Sequence, residues 1–269
     1  MQPDLVDSHC HIDVAAFHPD RDAVLARARR AGVRRIVVPA IAAAGWDTLE
    51  AICRRHPGLF PAYGLHPMFL GQHRRQHLDA LAGRLDGPGV VAVGECGLDH
   101  FVPELDRTLQ LRFFEAQLQL ARDTGLPVIV HARRAVDEVT AAIRRVGGLR
   151  GVVHSFSGSQ QQARTLWDLG FLVGLGGPVT WPRAQRLRRL AASMPLEFLL
   201  LETDAPDQPG AGHRGERNEP AHLPAVLEVI AGLRGEDPVE VARATTANAE
   251  RLFGGLAAAA PAPTPPGAP

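Results

Sequence analysis

The sequence predicts an α/β protein built as a closed (β/α)₈ barrel, the TIM barrel. The chain has 269 residues, of which 45% are hydrophobic, so it can bury one barrel-sized core. Short β-branched runs alternate with longer segments of helical periodicity, and there are eight such runs. At this length, eight strands alternating with helices favour a parallel barrel. A doubly wound open sheet is the alternative, although no G-x-G-x-x-G or Walker motif supports it.

Each predicted strand is a short apolar run bounded by glycine, proline or polar residues. The predicted strands are 5–7, 35–39, 60–64, 90–94, 127–131, 151–154, 172–175 and 198–202. Apolar residues at helical spacing predict a helix in most of the intervals between them and two more at the end. The predicted helices are 22–31, 46–56, 105–123, 135–146, 160–169, 183–192, 223–233 and 238–252.

Residues 1–256 are expected to form a single barrel domain. Residues 257–269 are alanine and proline apart from Thr264 and Gly267, a composition that cannot bury a core and predicts a disordered tail.

The three cysteines are too few and too irregular for a disulfide framework. The first residues lack the pattern of a signal peptide, and no run is long enough for a membrane helix. We therefore expect a cytoplasmic protein with no membrane partner and no obligate protein partner.

The charges of the chain are balanced, with 29 basic and 29 acidic residues. This balance argues against a protein that coats nucleic acid nonspecifically, because such a protein requires a basic face. It does not argue against an enzyme that binds a few phosphates locally. All the basic residues are arginine, since the sequence contains no lysine. A Schiff-base amine, a Walker lysine and a carbamylated lysine bridging two metals are therefore excluded.

Metal-competent side chains follow five of the eight predicted strands. His9 and His11 end the first, and because side chains two apart in a strand point the same way, both can face one ion. The others follow the fourth, fifth, sixth and eighth strands; they are Glu95, His131, His154 and Asp204. The carboxyl ends of barrel strands share one face, where the active sites of this fold lie. These six residues are the predicted metal ligands.

Four imidazoles and two carboxylates suit Zn²⁺, Mn²⁺, Fe²⁺ or Co²⁺, and Mg²⁺ if water completes the shell. Two divalent ions are expected, and Glu95 is the available bridge. One ion would take His9, His11, Glu95 and Asp204, and the other Glu95, His131 and His154. A water between them would have its pKa lowered from about 15.7 toward about 7, and Asp204 could accept its proton as the catalytic base.

Short motifs lie along most of the chain: DSHCHID at 7–13, GLHP at 64–67, GECGLD at 94–99, LPVIVHAR at 126–133, GVVHSFSGS at 151–159, LETDAP at 201–206 and RNEP at 217–220. With these motifs the chain resembles the TatD family of metal-dependent hydrolases and deoxyribonucleases from about residue 4 to residue 253. The segments GGPVTWPRA at 176–184 and ETDAPDQP at 202–209 resemble its YjjV-like branch. The resemblance implies a barrel of the amidohydrolase-like type, divalent metals and hydrolase activity. Deoxyribonuclease activity is a further expectation from the family, and two positions of this chain depart from the pattern of its nucleases. The family's nucleases usually carry aromatics where this chain has Asp207 and His100.

Three further residues are candidates for binding substrate. His66 follows the third predicted strand. It either contacts substrate or donates a hydrogen bond to a metal ligand. Arg133 follows His131 by two residues, so its guanidinium could take a phosphate oxygen or form a salt bridge. Arg217 lies in the loop after the eighth strand and could also bind phosphate.

Three functions follow from these residues. The first is a deoxyribonuclease that cleaves phosphodiester bonds from a 3′ end by metal-activated water, in the manner of a 3′–5′ exonuclease. The alternative is a hydrolase of a small-molecule phosphoester, amide or lactone. A second alternative is a non-catalytic, metal-bound binding protein. The expected partner is accordingly DNA or a small phosphoester.

Overall fold

A computed structural model describes residues 4–256, and the predicted tail at 257–269 lies outside this range. Eight parallel strands form one sheet in chain order, β1 to β8. They are β1 (Leu5–Asp7), β2 (Val33–Pro39), β3 (Leu59–Tyr63), β4 (Ala92–Asp99), β5 (Val128–Arg133), β6 (Gly151–Val153), β7 (Phe171–Leu175) and β8 (Leu199–Leu201). The backbone of Ser8 donates to the Leu201 carbonyl at 3.0 Å, which links the first and last strands. The TIM barrel prediction is confirmed.

Nine α-helices lie in the described part of the chain. They are α1 (Arg21–Arg30), α2 (Trp46–Arg55), α3 (Arg75–Leu85), α4 (Arg107–Thr124), α5 (Val136–Val146), α6 (Gln160–Asp168), α7 (Gln185–Ser193), α8 (Leu223–Arg234) and α9 (Pro238–Phe253). Eight coincide with predicted helices to within about two residues. Helix α3 was not predicted, because its few apolar side chains and Gly83 leave only a narrow apolar stripe.

One apolar residue from each strand fills the barrel interior. This layer consists of Val6, Val37, Ala62, Ala92, Ile129, Val152, Leu172 and Leu200. Leu252 and Phe253 of α9 pack against the layer. Asn248 of the same helix donates to the Leu196 and Leu199 carbonyls, at the start of β8. Helix α9 therefore closes the amino-terminal end of the barrel and leaves the carboxyl ends of the strands open for a site.

Strand β4 continues through Glu95 to Asp99, whereas the sequence predicted that it ends at Gly94. Its pairing with β5 shifts between Val93 and Cys96, where two residues of β4 stand opposite one residue of β5. A bulge of this kind redirects side chains and often lies beside active sites. Within residues 4–256, no helix is both long enough and apolar enough to cross a membrane.

Candidate metal centre

Glu95 lies at the centre of a cluster of imidazoles at the carboxyl ends of the strands. Its side chain is 1% exposed. One carboxylate oxygen, Oε2, lies 3.0 Å from His9 Nε2 and 3.3 Å from His11 Nε2. The other oxygen, Oε1, is contacted by His154 Nε2 at 2.7 Å, His66 Nε2 at 2.9 Å and His131 Nδ1 at 3.0 Å. Each oxygen of one carboxylate therefore has its own set of nitrogen donors.

Asp204 completes the first of these sets. Its Oδ1 lies 3.5 Å from His9 Nε2 and 3.7 Å from His11 Nε2. The backbone of Asp204 is left-handed, with φ of 56°, an uncommon state for a residue with a side chain. A hydrogen bond from its N–H to the His9 carbonyl, 2.8 Å long, holds it there. All six predicted ligand residues are thus brought together.

Gln208 holds the Asp204 carboxylate in place and was not identified from the sequence. Its amide nitrogen donates to Asp204 Oδ2, and its amide oxygen accepts from the Ser155 hydroxyl at 2.8 Å. Asp204 Oδ1 is thereby left to face the histidines. Gln208 lies in an irregular loop, where the sequence pattern does not reveal which side chain contacts Asp204.

Two imidazoles have an oxygen acceptor on the side of the ring away from Glu95. His11 Nδ1 lies 3.1 Å from the Pro39 carbonyl, and His131 Nε2 lies 3.0 Å from Asp99 Oδ2. In a neutral ring, a proton on the nitrogen that faces this acceptor would leave the lone pair of the other nitrogen free for an ion. Such outer partners orient the histidine ligands of metal sites.

His66 has the opposite arrangement. Its Nδ1 accepts from the backbone N–H of Met68 at 3.1 Å, so the proton lies on Nε2. That nitrogen donates to Glu95 Oε1 at 2.9 Å. Burial lowers the pKa of His66 to about 4, which keeps the ring neutral at pH 7. His66 therefore offers Glu95 a hydrogen bond rather than a lone pair for an ion.

Glu202 lies beside the remaining two imidazoles. The rings of His9 and His154 are stacked, with centroids 3.8 Å apart. Glu202 Oε1 accepts from the Ser155 backbone at 2.5 Å and lies 3.9 Å from His154 Nδ1. Burial raises the pKa of Glu202 to about 8. A buried carboxyl group is thus packed directly behind the rings.

Gly174 makes room for this carboxyl group, and replacing it with alanine is expected to destabilise the protein. An added Cβ would lie 2.0 Å from Glu202 Oε2. Moving Glu202 would break its bond to Ser155, so we expect a loss of about 1–3 kcal/mol and a Tm lower by roughly 5 °C. Gly232→Ala is the control, because its Cβ would meet no atom within 4 Å. Equal melting temperatures for the two variants would contradict this account of Gly174.

The cluster fits divalent ions by three criteria. Among the described residues, Glu95 Oε2 is a buried carboxylate oxygen without a hydrogen-bond partner. Burial raises the pKa of Glu95, but electrostatic attraction from the surrounding imidazoles, His154 foremost, outweighs it and holds that pKa well below its usual value. The donors of the first set are 3.0–3.7 Å apart, close to the ~3.4 Å expected around a four-coordinate ion with bonds of about 2.1 Å. Imidazole and carboxylate are ligands for Zn²⁺ and Mn²⁺.

The centre forms part of the wall of an open cavity of about 770 Å³, within the range of ligand sites. Much of the remaining lining is apolar, including Met68, Phe69, Phe156, Leu175 and Pro206. Outside the cluster, the charged lining residues are Arg133, which is positive, and Asp207, which is negative. The polar cluster thus forms one part of the cavity wall, and apolar side chains form much of the rest.

Arg217 is not brought to this cavity. Its guanidinium donates to both oxygens of Asp20 at 2.8 Å and to Glu219 at 2.9 Å. The same group lies 4.7 Å from the centroid of the Phe17 ring. These contacts tie the loop after β8 to the segment after β1, so they favour a structural role over phosphate binding.

A family model described as "TatD related DNase" matches residues 6–254. The chain is 42% identical over 251 residues to the "uncharacterized metal-dependent hydrolase YjjV" of Escherichia coli K12, covering 92% of this chain and 97% of that protein. It is 36% identical over 258 residues to the "3′-5′ ssDNA/RNA exonuclease TatD" of Salmonella typhimurium, covering 93% and 98%. The crystal structure of E. coli YjjV superposes with a TM-score of 0.90 at 40% identity, covering 94% of this chain and 99% of that one.

Proposed function

The chain belongs to the TatD family of metal-dependent hydrolases, and from this premise we propose that it cleaves phosphodiester bonds at the 3′ end of single-stranded or frayed DNA. The observation that carries the proposal is the position of Glu95. Its two oxygens face separate sets of imidazoles, within an open cavity. Paired metal sites a few ångströms apart recur in enzymes that hydrolyse phosphate esters.

We assign the metal ligands as two sets that share Glu95. The first set is Glu95, His9, His11 and Asp204, supported by the 3.0–3.7 Å spacing of their donor atoms. The second set is Glu95, His131 and His154, in which the two imidazole nitrogens lie 3.3 Å apart. Zn²⁺, Mn²⁺ or Mg²⁺ would suit these donors. Two such ions would acidify a water and neutralise charge on the phosphodiester.

The protein's own groups would perform the remaining tasks. Asp204, fixed by Gln208, would orient the attacking water and accept its proton. His66 would hold Glu95 in its shared position through the Nε2 hydrogen bond. Arg133 lines the cavity, and its nearest carboxylate oxygen, on Asp99, is 4.0 Å away. Its guanidinium is therefore available for a phosphate oxygen.

A second candidate is a hydrolase of a small phosphoester, amide or lactone. The cavity lining favours it through its apolar walls and through Asp207, an exposed carboxylate that would repel a polyanion. For either substrate we propose a cytoplasmic enzyme, which is consistent with the three free cysteines.

The proposal is tested with 5′-labelled oligonucleotides incubated with Mg²⁺ or Mn²⁺. We expect products shortened stepwise from the 3′ end, and their loss with EDTA or in an Asp204→Ala variant. Glu216→Gln is the matched control, because this exposed carboxylate contacts His213 outside the cavity. No cleavage above the Asp204→Ala background, together with turnover of carboxylic esters or lactones, would favour the second candidate instead.

A further inference from the structure

Phe101 is an exposed aromatic side chain covered by two arginines at the mouth of the barrel. It is 45% exposed. The guanidinium carbon of Arg133 lies 3.7 Å from the centroid of its ring, and that of Arg134 lies 4.7 Å away. We refer to Phe101, Arg133 and Arg134 as the Phe101 platform. Phe101 thus presents a flat, partly exposed surface whose stacking partner, Arg133, lines the cavity.

The positive charge of the platform is not neutralised at close range. Across residues 4–256, neither guanidinium has a carboxylate within normal hydrogen-bond distance, and the nearest contact is Arg133 to Asp99 at 4.0 Å. Arg217, by contrast, donates to Asp20 and Glu219 at 2.8–2.9 Å. Arg134 also has a left-handed backbone, with φ of 55°, a strain that is more common at functional sites.

The platform adjoins the proposed metal centre. Arg133 lines the cavity. Asp99 Oδ1 accepts from the Phe101 backbone at 2.8 Å, while its Oδ2 lies 3.0 Å from His131 Nε2. One carboxylate thus connects the backbone of Phe101 to a proposed metal ligand, and Arg133 extends from the platform into the cavity wall.

We propose that the Phe101 platform stacks an unpaired nucleobase of the nucleotide next to the scissile phosphodiester, an inference that rests on the proposed function. Every base has a π face that stacks on aromatic rings and on guanidinium planes, without regard to sequence. The arginine edges remain free for the adjoining phosphate. Because duplex bases are already stacked on each other, such a platform selects a frayed or single-stranded end.

The test compares a short single-stranded DNA with the same DNA carrying abasic residues at its two 3′-terminal positions. The wild-type protein should show a KM about tenfold lower for the DNA with bases, as expected for one stacked base. Phe101→Leu should remove this preference by raising KM only for the DNA with bases, whereas Phe101→Trp should preserve it. Val239→Ala, which alters another exposed apolar residue, is the control.

Two results would overturn the inference. Equal KM values for both DNAs in the wild-type protein would mean that no base stacks on the platform. An equal rise in KM for both DNAs in Phe101→Leu would mean that Phe101 only supports Arg133. Failure to cleave either DNA would overturn the proposed function as well, so the two failures are distinguishable.

Discussion

Replacing Glu95 with glutamine is expected to remove bound metal and reduce hydrolysis to near background. Glutamine keeps the size of the side chain but loses the charge and one of the two oxygens that face separate imidazole sets. Loss of an outer partner of a metal ligand already costs about 10–100-fold in affinity or activity. Loss of the shared carboxylate should therefore cost more than about 100-fold.

The measurement is metal content by elemental analysis, alongside the rate of phosphodiester cleavage. Glu216→Gln provides the same chemical change at an exposed position and should retain both properties. Circular dichroism would verify that both variants fold. A Glu95→Gln protein that bound two ions per chain and kept activity within a few-fold would refute the bridging role.

Replacing Asp204 with asparagine is expected to lower kcat by about 10²–10⁴-fold, the usual contribution of a general base. The amide retains an oxygen that can face His9 and His11 but cannot accept a proton from water. Metal content should fall less than in Glu95→Gln, and KM should change little, because substrate contacts are left in place.

Asp207→Asn is the matched control, since this carboxylate lies on the same loop and lines the same cavity. Its removal should change kcat by no more than a few-fold and should lower KM for DNA by relieving repulsion. Similar losses of kcat in the two variants would argue that loop charge, rather than proton transfer at Asp204, controls the rate.

The barrel and its donor set could be predicted because each strand and its final residues are local features of the sequence. His9 and His11 lie two and four residues after Asp7, where β1 ends, and the side-chain alternation of an extended chain predicts that they share one side. Helix α3 (Arg75–Leu85) was missed because its helical pattern is weak. The extension of β4 beyond Gly94 depends on a bulge against β5, which no single segment encodes.

The roles of the loop residues could not be predicted, because they depend on partners far apart in the chain. Arg217 pairs with Asp20, 197 positions away, and no local pattern in the sequence reveals this partner. Gln208 and His66 act through contacts with Asp204 and Glu95. The proposed role of the exposed Phe101 depends on the two arginines that lie over its ring, and the sequence does not reveal these contacts.

The central claim is that Glu95 is shared by two divalent ions, and anomalous X-ray scattering from crystals grown with Mn²⁺ or Zn²⁺ tests it most directly. The account predicts two peaks, one on each side of the Glu95 carboxylate and about 3.5–4 Å apart. One peak should lie among His9, His11 and Asp204, and the other beside His131 and His154. Peaks remote from Glu95, or none in crystals whose protein binds metal in solution, would contradict it.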